Sequence, residues 1–271
     1  MPYNNKWVMG LQTIALLQQM EGRHVISMVI PAFNSEDTIE STIASVEKGI
    51  KDLGYQYEVL VIDDGSTDKT FEKISKLSSE HIKVIRNSPN RGKGFSMKEG
   101  ILASSGDYVI MLDSDLEIGI DMIQTYIYAL KEKDIVISSK RHPQAIYRAP
   151  FIRKFSSAGF NILVRILTGV NVSDSQTGFK AFRGESIRYL MKLVSVKRYA
   201  FDVEVLAVAK IARMEMAEFP AHIVQDKSFS SKAILYMLVD LLGIAYRLRI
   251  IKWYQKNIHN SSPSYRPILN L

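Results

Sequence analysis

Two aspartates separated by a single residue follow a short apolar stretch near the middle of the chain. Residues 109–112 are Val, Ile, Met and Leu, and Asp113, Ser114 and Asp115 come directly after them. An apolar run of this length predicts a buried strand. Alternate residues of a strand project to the same side, so the carboxylates of Asp113 and Asp115 are expected to share one small volume. Two carboxylates about 4 Å apart repel each other by roughly 4 kcal/mol at an effective dielectric constant of about 20, so a cation or a bound proton must accompany them.

Oxygen ligands of this kind suit a hard divalent cation. Mg²⁺ and Mn²⁺ are bound by carboxylates and commonly connect a protein to substrate phosphates. We therefore predict that Asp113 and Asp115 hold Mg²⁺ or Mn²⁺, with Glu117 as a third ligand. The alternative is a solvated strand end at which Asp115 caps the following helix.

The composition is that of an ordinary folded protein with an excess of positive charge. The chain has 271 residues, of which 46% are hydrophobic and 23% charged, enough for one large domain or a domain with an appendage. A net charge of +7 favours an anionic partner such as phosphates, nucleic acid or a lipid surface. The absence of cysteine excludes disulfide bonds and thiolate chemistry and fits a cytoplasmic location.

No stretch reaches the roughly 18 consecutive apolar residues of a membrane-spanning helix, and we expect no secretory signal. Residues 233–251 come nearest, but Asp240, Arg247 and Arg249 interrupt them. The pattern predicts a basic amphipathic helix ending in Trp253 and Tyr254, which could lie at a membrane interface. Packing on the core or on a partner subunit is the alternative.

Strand and helix patterns alternate over the first half of the chain. Strands are predicted at residues 25–30, 58–62, 83–85, 109–112 and 135–138. Four helices are predicted between them: one that ends at about residue 51, one that begins at residue 69, one that ends at about residue 103 and one over 119–131. The alternation predicts an α/β fold with a parallel, doubly wound sheet. Polar clusters follow the first four strands, at the sheet edge where such folds bind ligands.

The character of the sequence changes after residue 140. A helix is predicted over about 152–167, and a polar segment at 174–180 precedes an apolar helix opened by residues 198–204. We predict an N-terminal extension at 1–22, a main domain at 23–226, an amphipathic basic helical segment at 227–258 and a disordered tail at 259–271.

Three short motifs together resemble the family 2 glycosyltransferases of the GT-A fold. They are Pro-Ala-Phe-Asn at 31–34, Asp-Asp-Gly-Ser at 63–66 and Asp-Ser-Asp at 113–115. Residues 138–141, 153–157, 174–180 and 198–204 are similar to segments of the polyprenyl-phosphate sugar synthases, the last two most of all to dolichyl-phosphate glucosyltransferase. The resemblance covers residues 25–225. It implies a Rossmann-like nucleotide-diphospho-sugar transferase domain with a mostly parallel central sheet, followed by C-terminal amphipathic helices.

The resemblance implies a metal-dependent, inverting transfer of a hexose from a nucleotide sugar to a polyprenyl (dolichyl) phosphate. UDP-glucose is the favoured donor. GDP-mannose is the next candidate, because Asp-Ser-Asp-Leu-Glu at 113–117 is closer to the mannosyl branch than to the Asp-Ala-Asp-Gly of many glucosyl relatives. The first motif also departs from the family, with Phe33, Asn34 and Ser35 where relatives have Tyr and then Asn-Glu. Two alternatives stay open: a family 2 enzyme acting on a saccharide or protein hydroxyl, and an inactive nucleotide-sugar-binding module.

The residues and the resemblance together give an expected site. The nucleotide would be bound by Pro31, Phe33, Glu36, Asp64, Lys93 and Ser114. The metal would be held by Asp113, Asp115 and Glu117, and the acceptor phosphate by Arg141, Arg153 and Ser157. The sugar would contact Gly178, Lys180 and Glu204. The catalytic residues would be Asp115, Asp174 and Asp202.

The expected acceptor decides how many catalytic groups are needed. A hydroxyl acceptor requires a general base. A phosphate monoester, with a second pKa of about 6, is already an anionic nucleophile at neutral pH and needs a cationic clamp, a task to which arginine is suited. The alternative for Arg141 and Arg153 is that they are ordinary surface charges. The alternative for Lys93, which lies between two glycines, is that it belongs to a solvated turn. We expect a membrane surface or an integral membrane partner at the cytoplasmic face, and no nucleic acid, because no recognition motif is visible.

Overall fold

The computed structural model describes residues 24–114, 122–145, 151–221 and 231–258, and for 151–157 and 231–232 it describes the backbone alone. Two of the three predicted metal ligands, Asp115 and Glu117, therefore lie outside the described residues. So do the predicted N-terminal extension and the predicted tail. The domain boundaries proposed from the sequence stay a prediction.

Strands and helices alternate along the described chain, except that two helices occur in a row before the last strand and helices alone follow it. The strands are β1 (Val25–Ala32), β2 (Gln56–Asp63), β3 (Ile82–Arg86), β4 (Tyr108–Met111), β5 (Ile135–Ser139), β6 (Lys180–Arg183) and β7 (Met216–Pro220). The helices are α1 (Ile39–Lys51), α2 (Thr70–Lys76), α3 (Lys93–Ala103), α4 (Ile123–Ala129), α5 (Phe151–Thr168), α6 (Gly184–Met191), α7 (Phe201–Ile211), α8 (Ser231–Ala245), a π-helix (Tyr246–Ile250) and α9 (Trp253–Ile258).

The seven strands form one mostly parallel sheet in the order β3-β2-β1-β4-β6-β5-β7. All neighbouring strands are parallel except at β6, which runs antiparallel to both β4 and β5. The predicted mostly parallel α/β sheet is confirmed, and each of the five predicted strands is present. The sequence analysis did not predict β6 and β7, which are short and lack a repeating apolar pattern.

The central strands are buried on both faces. Along β1, Val29 faces one core together with Leu60 and Met111, whereas Met28 and Ile30 face a second core on the other side of the sheet. The first core includes residues of α3, α6 and α7, and the second includes residues of α1, α2 and α4. This two-sided burial explains why the strands read as continuous apolar runs in the sequence.

The reversal of β6 brings a distant part of the chain to the edge where β4 ends. Lys180, the first residue of β6, pairs with Met111, the last residue of β4. The segment 174–180 therefore arrives beside Asp113, although more than sixty residues separate them in the sequence. This topology lets two segments with no local connection contribute to one site.

The C-terminal helices pack on the domain. Helix α8 packs against α5 and α7, and α9 packs against α7. Leu241 and Ile244 are buried, while Leu235, Val239 and Leu242 are exposed. Within the part of the chain that the structure describes, no helix combines the length and apolar character needed to cross a bilayer.

A buried glutamate at the opposite edge of the sheet ties three strands together. Glu58 on β2 accepts hydrogen bonds from the Ser27 hydroxyl at 2.7 Å, from the Ser105 amide at 2.6 Å and from the Lys83 ammonium at 2.7 Å. Burial by itself would raise the pKa of Glu58, but the hydrogen bonds from Lys83, Ser105 and Ser27 outweigh it and lower the pKa to about 2. The ionised carboxylate therefore stabilises the folded chain.

We predict that Glu58→Gln destabilises the fold by about 2–3 kcal/mol at pH 7, because the pKa falls from 4.5 in the unfolded chain to about 2 in the folded one. That stabilisation is complete above pH 4.5 and is lost as the pH falls toward about 2. Urea unfolding at pH 7 and at pH 3 would show a wide gap between wild type and variant that narrows in acid. Glu80→Gln, at a side chain that is 86% exposed, is the control. A gap that does not change with pH would contradict the assignment.

Candidate active site

The site lies where β1, β2 and β4 end. Ser114, two residues beyond the predicted strand end, is held from two sides. Its hydroxyl oxygen lies 3.0 Å from that of Ser35, and its carbonyl accepts a hydrogen bond from the Thr42 hydroxyl of α1 at 2.8 Å. The start of the acidic segment is thus fixed in place by the loop after β1 and by the helix that follows it.

Asp113 is paired with a lysine. Lys93 Nζ lies 2.5 Å from Asp113 Oδ1, and each side chain keeps about a quarter of its surface exposed, 27% and 28%. The sequence argument required a positive charge beside this carboxylate, and Lys93 supplies one. Because both groups reach the surface, a ligand that enters this edge would meet a carboxylate and an ammonium side by side.

The two glycines beside Lys93 are required by close packing. A side chain at Gly92, whose φ is +100°, would overlap the Lys197 carbonyl oxygen, and one at Gly94 would lie 2.6 Å from Phe201 Cβ. The Phe95 amide also donates to the Lys197 carbonyl at 3.0 Å. The loop that carries Lys93 is therefore seated against residues 197–201, unlike a solvated turn.

Asp64 orders the same loop from the other side. Its buried carboxylate accepts hydrogen bonds from the Arg91 amide at 3.0 Å, from the Gly92 amide at 2.8 Å and from Asn87 Nδ2 at 3.2 Å. Glu36 has a comparable local contact, because its carboxylate accepts from the Lys69 amide at 2.9 Å. Both carboxylates thus hold loops at the ligand-binding edge, in addition to any contact with a nucleotide.

The remaining predicted nucleotide residues differ in exposure. Pro31 is buried within β1, whereas the Phe33 ring just beyond it is 48% exposed. Asn34, next in sequence, has a left-handed φ of +48°, and its side-chain oxygen accepts from the Thr67 amide at 3.0 Å. Phe33 is thus an exposed aromatic ring at the ligand edge, while Pro31 packs inside.

Gly178 lies directly against Asp113. A side chain at this position would overlap the Asp113 carboxylate. The predicted sugar segment and the predicted metal strand are therefore in van der Waals contact at this residue. Only glycine, which has a hydrogen in place of a side chain, allows the Asp113 carboxylate to keep this position.

Lys180, two residues after Gly178, forms a buried ion pair with Asp202. Lys180 is fully buried, and its Nζ lies 2.7 Å from Asp202 Oδ1 and 2.5 Å from the Thr177 carbonyl. A buried charge without a partner is strongly unfavourable, so each residue requires the other. The pair joins the segments 174–180 and 198–204, which the sequence suggested were parts of one site.

Asp174 and Glu204 are engaged by other groups. Asp174 is buried and accepts from the backbone amides of Lys140 and Gln176, both at 3.2 Å. Glu204 is fully buried and accepts from the residue 195–196 segment and from two side chains of the C-terminal helices. The geometry gives no support to the expected contact between Glu204 and a sugar, because its carboxylate faces the C-terminal helices.

The expected acceptor residues are only partly described. Arg141 is exposed just after β5, and its amide donates to the Ser139 hydroxyl at 3.2 Å. Arg153 and Ser157 lie in the first turns of α5, four residues apart and hence on one face of the helix. Their side chains lie outside the described part of the structure.

Two small polar residues were missed by the sequence analysis. The hydroxyls of Thr177 and Ser138 are buried and have no hydrogen-bond partner among the described residues. Thr177 lies between Asp174 and Gly178 in the segment that contacts Asp113, and Ser138 follows the buried run of β5. Both residues lie in the segments 138–141 and 174–180 that resemble the family, and this was the signal that could have found them; a small hydroxyl residue at a strand end is by itself too common to single out a site.

The described donors fit a cation site only in part. No group of three or more acidic or histidine side chains that could hold a metal is found among the described residues. Asp113 is described and lies at the ligand edge, while Asp115 and Glu117 lie outside. The carboxylate oxygens of Asp113 are of the type that a hard cation prefers, and Lys93 Nζ lies 2.5 Å from one of them, Oδ1.

A protein-family model covers more than half of the chain. The model of Glycosyl transferase family 2 matches residues 27–190. The chain belongs to this family. It is therefore a glycosyltransferase, as the motifs suggested.

Two similar proteins carry the same description. The Dolichyl-phosphate beta-glucosyltransferase of Dictyostelium discoideum is 31% identical over 254 residues, covering 86% of this chain and 77% of that protein. The human protein of the same description is 31% identical, with 84% of this chain and 77% of that protein covered.

Among solved structures, glucosyl-3-phosphoglycerate synthase from Mycobacterium tuberculosis in complex with UDP has a TM-score of 0.65 at 21% identity, covering 90% of this chain and 87% of that one. The same enzyme with Mn²⁺, UDP and glucosyl-3-phosphoglycerate has a TM-score of 0.64 at 20% identity, with the same coverage. At this identity the likeness shows the fold, and the predicted GT-A fold of this glycosyltransferase is confirmed.

We predict that Gly178→Ala lowers sugar-transfer activity by about 10²-fold, because the added methyl group displaces the Asp113 carboxylate, and misplacement of a site group by about 1 Å can cost this much. The measurement is turnover of a nucleotide sugar by the purified variant. Gly159→Ala on α5 is the matched control, because a methyl group there meets nothing within 4 Å. Equal activity of the two variants would show that the contact with Asp113 has no bearing on transfer.

Proposed function

We propose that this glycosyltransferase moves glucose from a nucleotide sugar to a polyprenyl (dolichyl) phosphate, with inversion at the anomeric carbon. UDP-glucose is the proposed donor, and GDP-mannose the next candidate. The proposal is supported by relatives at 29–31% identity that are described as Dolichyl-phosphate beta-glucosyltransferase. It is also supported by the way the carboxylates of the site are occupied.

The three carboxylates expected at the sugar, Asp174, Asp202 and Glu204, each already have structural partners in the described part of the chain. Asp202 is paired with Lys180, and Asp174 accepts two backbone amides. Glu204 is fully buried and hydrogen-bonded on both oxygens. A base must offer a free lone pair to a hydroxyl. The structural roles of these three carboxylates, in the Lys180 ion pair and in holding backbone amides, are the observation that favours an acceptor that is already anionic, a phosphate, over a saccharide or protein hydroxyl.

The proposed donor side is built around Asp113. With Asp115 and Glu117 it would hold Mg²⁺ or Mn²⁺, which when bound supplies charge stabilisation to the departing diphosphate. Lys93 lies 2.5 Å from Asp113 and would add its charge to the same phosphates. We propose further nucleotide contacts from four residues at the same edge: Phe33, through its exposed ring, and Glu36, Asp64 and Ser114. Pro31, buried inside β1, would support the loop.

The proposed sugar pocket is lined by Asp174, Gly178, Lys180 and Asp202. The buried Lys180–Asp202 pair fixes the position of the Asp202 carboxylate, whose second oxygen could accept from a sugar hydroxyl. Arg141, Arg153 and Ser157 would hold the acceptor phosphate, which attacks the anomeric carbon from the face opposite the diphosphate. An α-linked donor would then give a β-linked product.

A lipid acceptor requires access to a membrane, and the C-terminal helices offer a face for it. Leu235, Val239, Leu242, Tyr246 and Ile250 are exposed, and their spacing of three and four residues places them in one stripe. Helix α5, which packs against α8, adds exposed isoleucines at 162 and 166. Exposed basic residues at 165 and 252 accompany these helices. We propose that this face, which we call the apolar stripe, rests on an anionic bilayer at the cytoplasmic side.

The central experiment is a substrate panel. We expect purified protein with Mn²⁺ and dolichyl phosphate to convert UDP-glucose into a single hexosyl-phospho-lipid, seen by mass spectrometry. Other UDP- and GDP-sugars should be used less well. Asp115→Ala should abolish the product, because the metal loses a ligand. Transfer to a hydroxyl acceptor with none to the lipid phosphate would overturn the proposal, and binding of UDP-glucose without any turnover would indicate a binding module.

A vesicle experiment tests the apolar stripe. Val239→Asp combined with Leu242→Asp should reduce co-sedimentation with phosphatidylserine-containing vesicles several-fold, because two charges replace apolar side chains that would enter the interface. Leu102→Asp, at a residue that is 50% exposed on α3, is the matched control. Unchanged vesicle binding would exclude the stripe as the membrane contact. A shift from dimer to monomer in light scattering would assign it to a second copy of the chain instead.

A further inference from the structure

The π-helix Tyr246–Ile250 carries two arginines that reach different parts of the domain. π-helices are rare and are found mostly at functional sites. Arg247 contacts the buried Glu204 of α7, whereas Arg249 contacts the last turn of α5. The same short element is thus attached both to α7, whose second residue is Asp202, and to α5, which carries Arg153.

The first attachment is a buried cluster. Arg247 Nη2 lies 3.0 Å from Glu204 Oε1, and Arg247 Nε donates to the Tyr254 hydroxyl at 2.8 Å. The Tyr254 hydroxyl in turn donates to Glu204. Burial lowers the pKa of Arg247, but the hydrogen bond with Tyr254 and the charge of Glu204 outweigh it and leave the pKa raised. Removing either partner would leave a fully buried carboxylate short of donors.

Glu204 also holds the segment 194–201, which we call the donor-side support. Its Oε2 accepts from the Ser195 amide at 2.8 Å and from the Val196 amide at 2.6 Å. Its Oε1 accepts from the Ser195 hydroxyl at 3.0 Å. The backbone of the support is therefore fixed by the same carboxylate that Arg247 holds.

The donor-side support lies directly under the Lys93 loop. Lys98 Nζ on α3 donates to the Val194 carbonyl at 2.6 Å, and the Phe95 amide donates to the Lys197 carbonyl at 3.0 Å. Gly92 fits against the Lys197 carbonyl because it lacks a side chain. A shift of the support would therefore move Lys93, which is the partner of Asp113.

The second attachment is at the C-terminus of α5. Arg249 Nε donates to the Leu167 carbonyl at 2.8 Å, and Arg249 Nη2 donates to the Ile166 carbonyl at 2.5 Å. The last carbonyls of a helix lack partners within the helix and form its negative end. A guanidinium at this end thus fixes the axial position of α5, at whose other end Arg153 and Ser157 lie.

We propose that Arg247 and Arg249 are positioning residues, one for each substrate. Arg247 keeps the donor-side support and Lys93 in place through Glu204, and Arg249 keeps α5 in place for the acceptor phosphate. The donor half depends only on nucleotide binding beside Lys93 and Asp113. The acceptor half rests on the proposed function, because it takes α5 as the acceptor helix.

The two arginines serve as matched variants of each other. Arg247→Gln should raise the dissociation constant of UDP with Mn²⁺, measured by calorimetry, by about tenfold, as expected for the loss of a hydrogen bond to a charged group, and should leave the KM for dolichyl phosphate nearly unchanged. Arg249→Gln should raise the KM for dolichyl phosphate and leave the dissociation constant of UDP nearly unchanged. Tyr254→Phe, which keeps the ring, should follow Arg247→Gln with a smaller effect. Lys256→Gln, at an exposed residue of α9, removes the same charge and should change neither quantity.

The outcomes separate positioning from stability. If both arginine variants change the two constants equally, or only lower the melting temperature, the assignment of one arginine to each substrate is wrong. If Arg247→Gln is too unstable to measure, Tyr254→Phe decides the donor half by the same readout. If the wild type binds UDP but transfers sugar to no lipid phosphate, the proposed function and the Arg249 half both fail. The UDP affinity of Arg247→Gln then still decides the donor half.

Discussion

The structure depends on neutralising buried or half-buried carboxylates with cations from neighbouring elements. At the ligand edge, Asp113 is paired with Lys93 and Asp202 with Lys180. Away from it, Glu58 is paired with Lys83 and Glu204 with Arg247. Each pair joins elements that are distant in sequence, so the charges also decide which segments meet. Removing one partner would leave a carboxylate that low-dielectric surroundings strongly disfavour.

These pairs explain how a site can be assembled from so many separate loops. The Lys93 loop is held by Asp64 on one side and by residues 197–201 on the other. The segment 174–180 is placed against Asp113 by the antiparallel β6, and Gly178 makes the approach possible. Hydrogen bonds and glycines thus set distances that apolar packing of the sheet alone would leave loose.

Much of this was predictable from the sequence, for identifiable reasons. Strands β1 to β5 are short runs rich in apolar residues, and polar clusters follow the first four, so both the strand positions and the ligand edge could be predicted. The antiparallel β6 could not, because Lys180–Arg183 is short and mostly determined by pairing with β4 and β5. The family motifs indicated that Lys180 and Asp202 belong together, but not that they form an ion pair.

The prediction for Glu204 shows the limit of reasoning by position in a motif. Glu204 lies two residues after Asp202 on α7 and was expected to contact the sugar. Because one helical turn has 3.6 residues, side chains two positions apart point to opposite sides of the helix. Asp202 therefore meets Lys180, and Glu204 meets Arg247. Nothing in the local sequence indicates this second partner, since Arg247 lies more than forty residues further on.

The balance of charge at the ligand edge bears on the proposed metal. In the described part of the edge, Lys93 and Lys180 each already face a carboxylate, and Asp64 adds a further negative charge held by neutral amides. Asp115 and Glu117 bring more negative charge to the same place in the sequence. A donor diphosphate is itself an anion, and Lys93, which would attract it, already faces Asp113. Under the proposed function, the three carboxylates of the acidic motif outnumber the single ammonium of Lys93, and a divalent cation would supply the further positive charge.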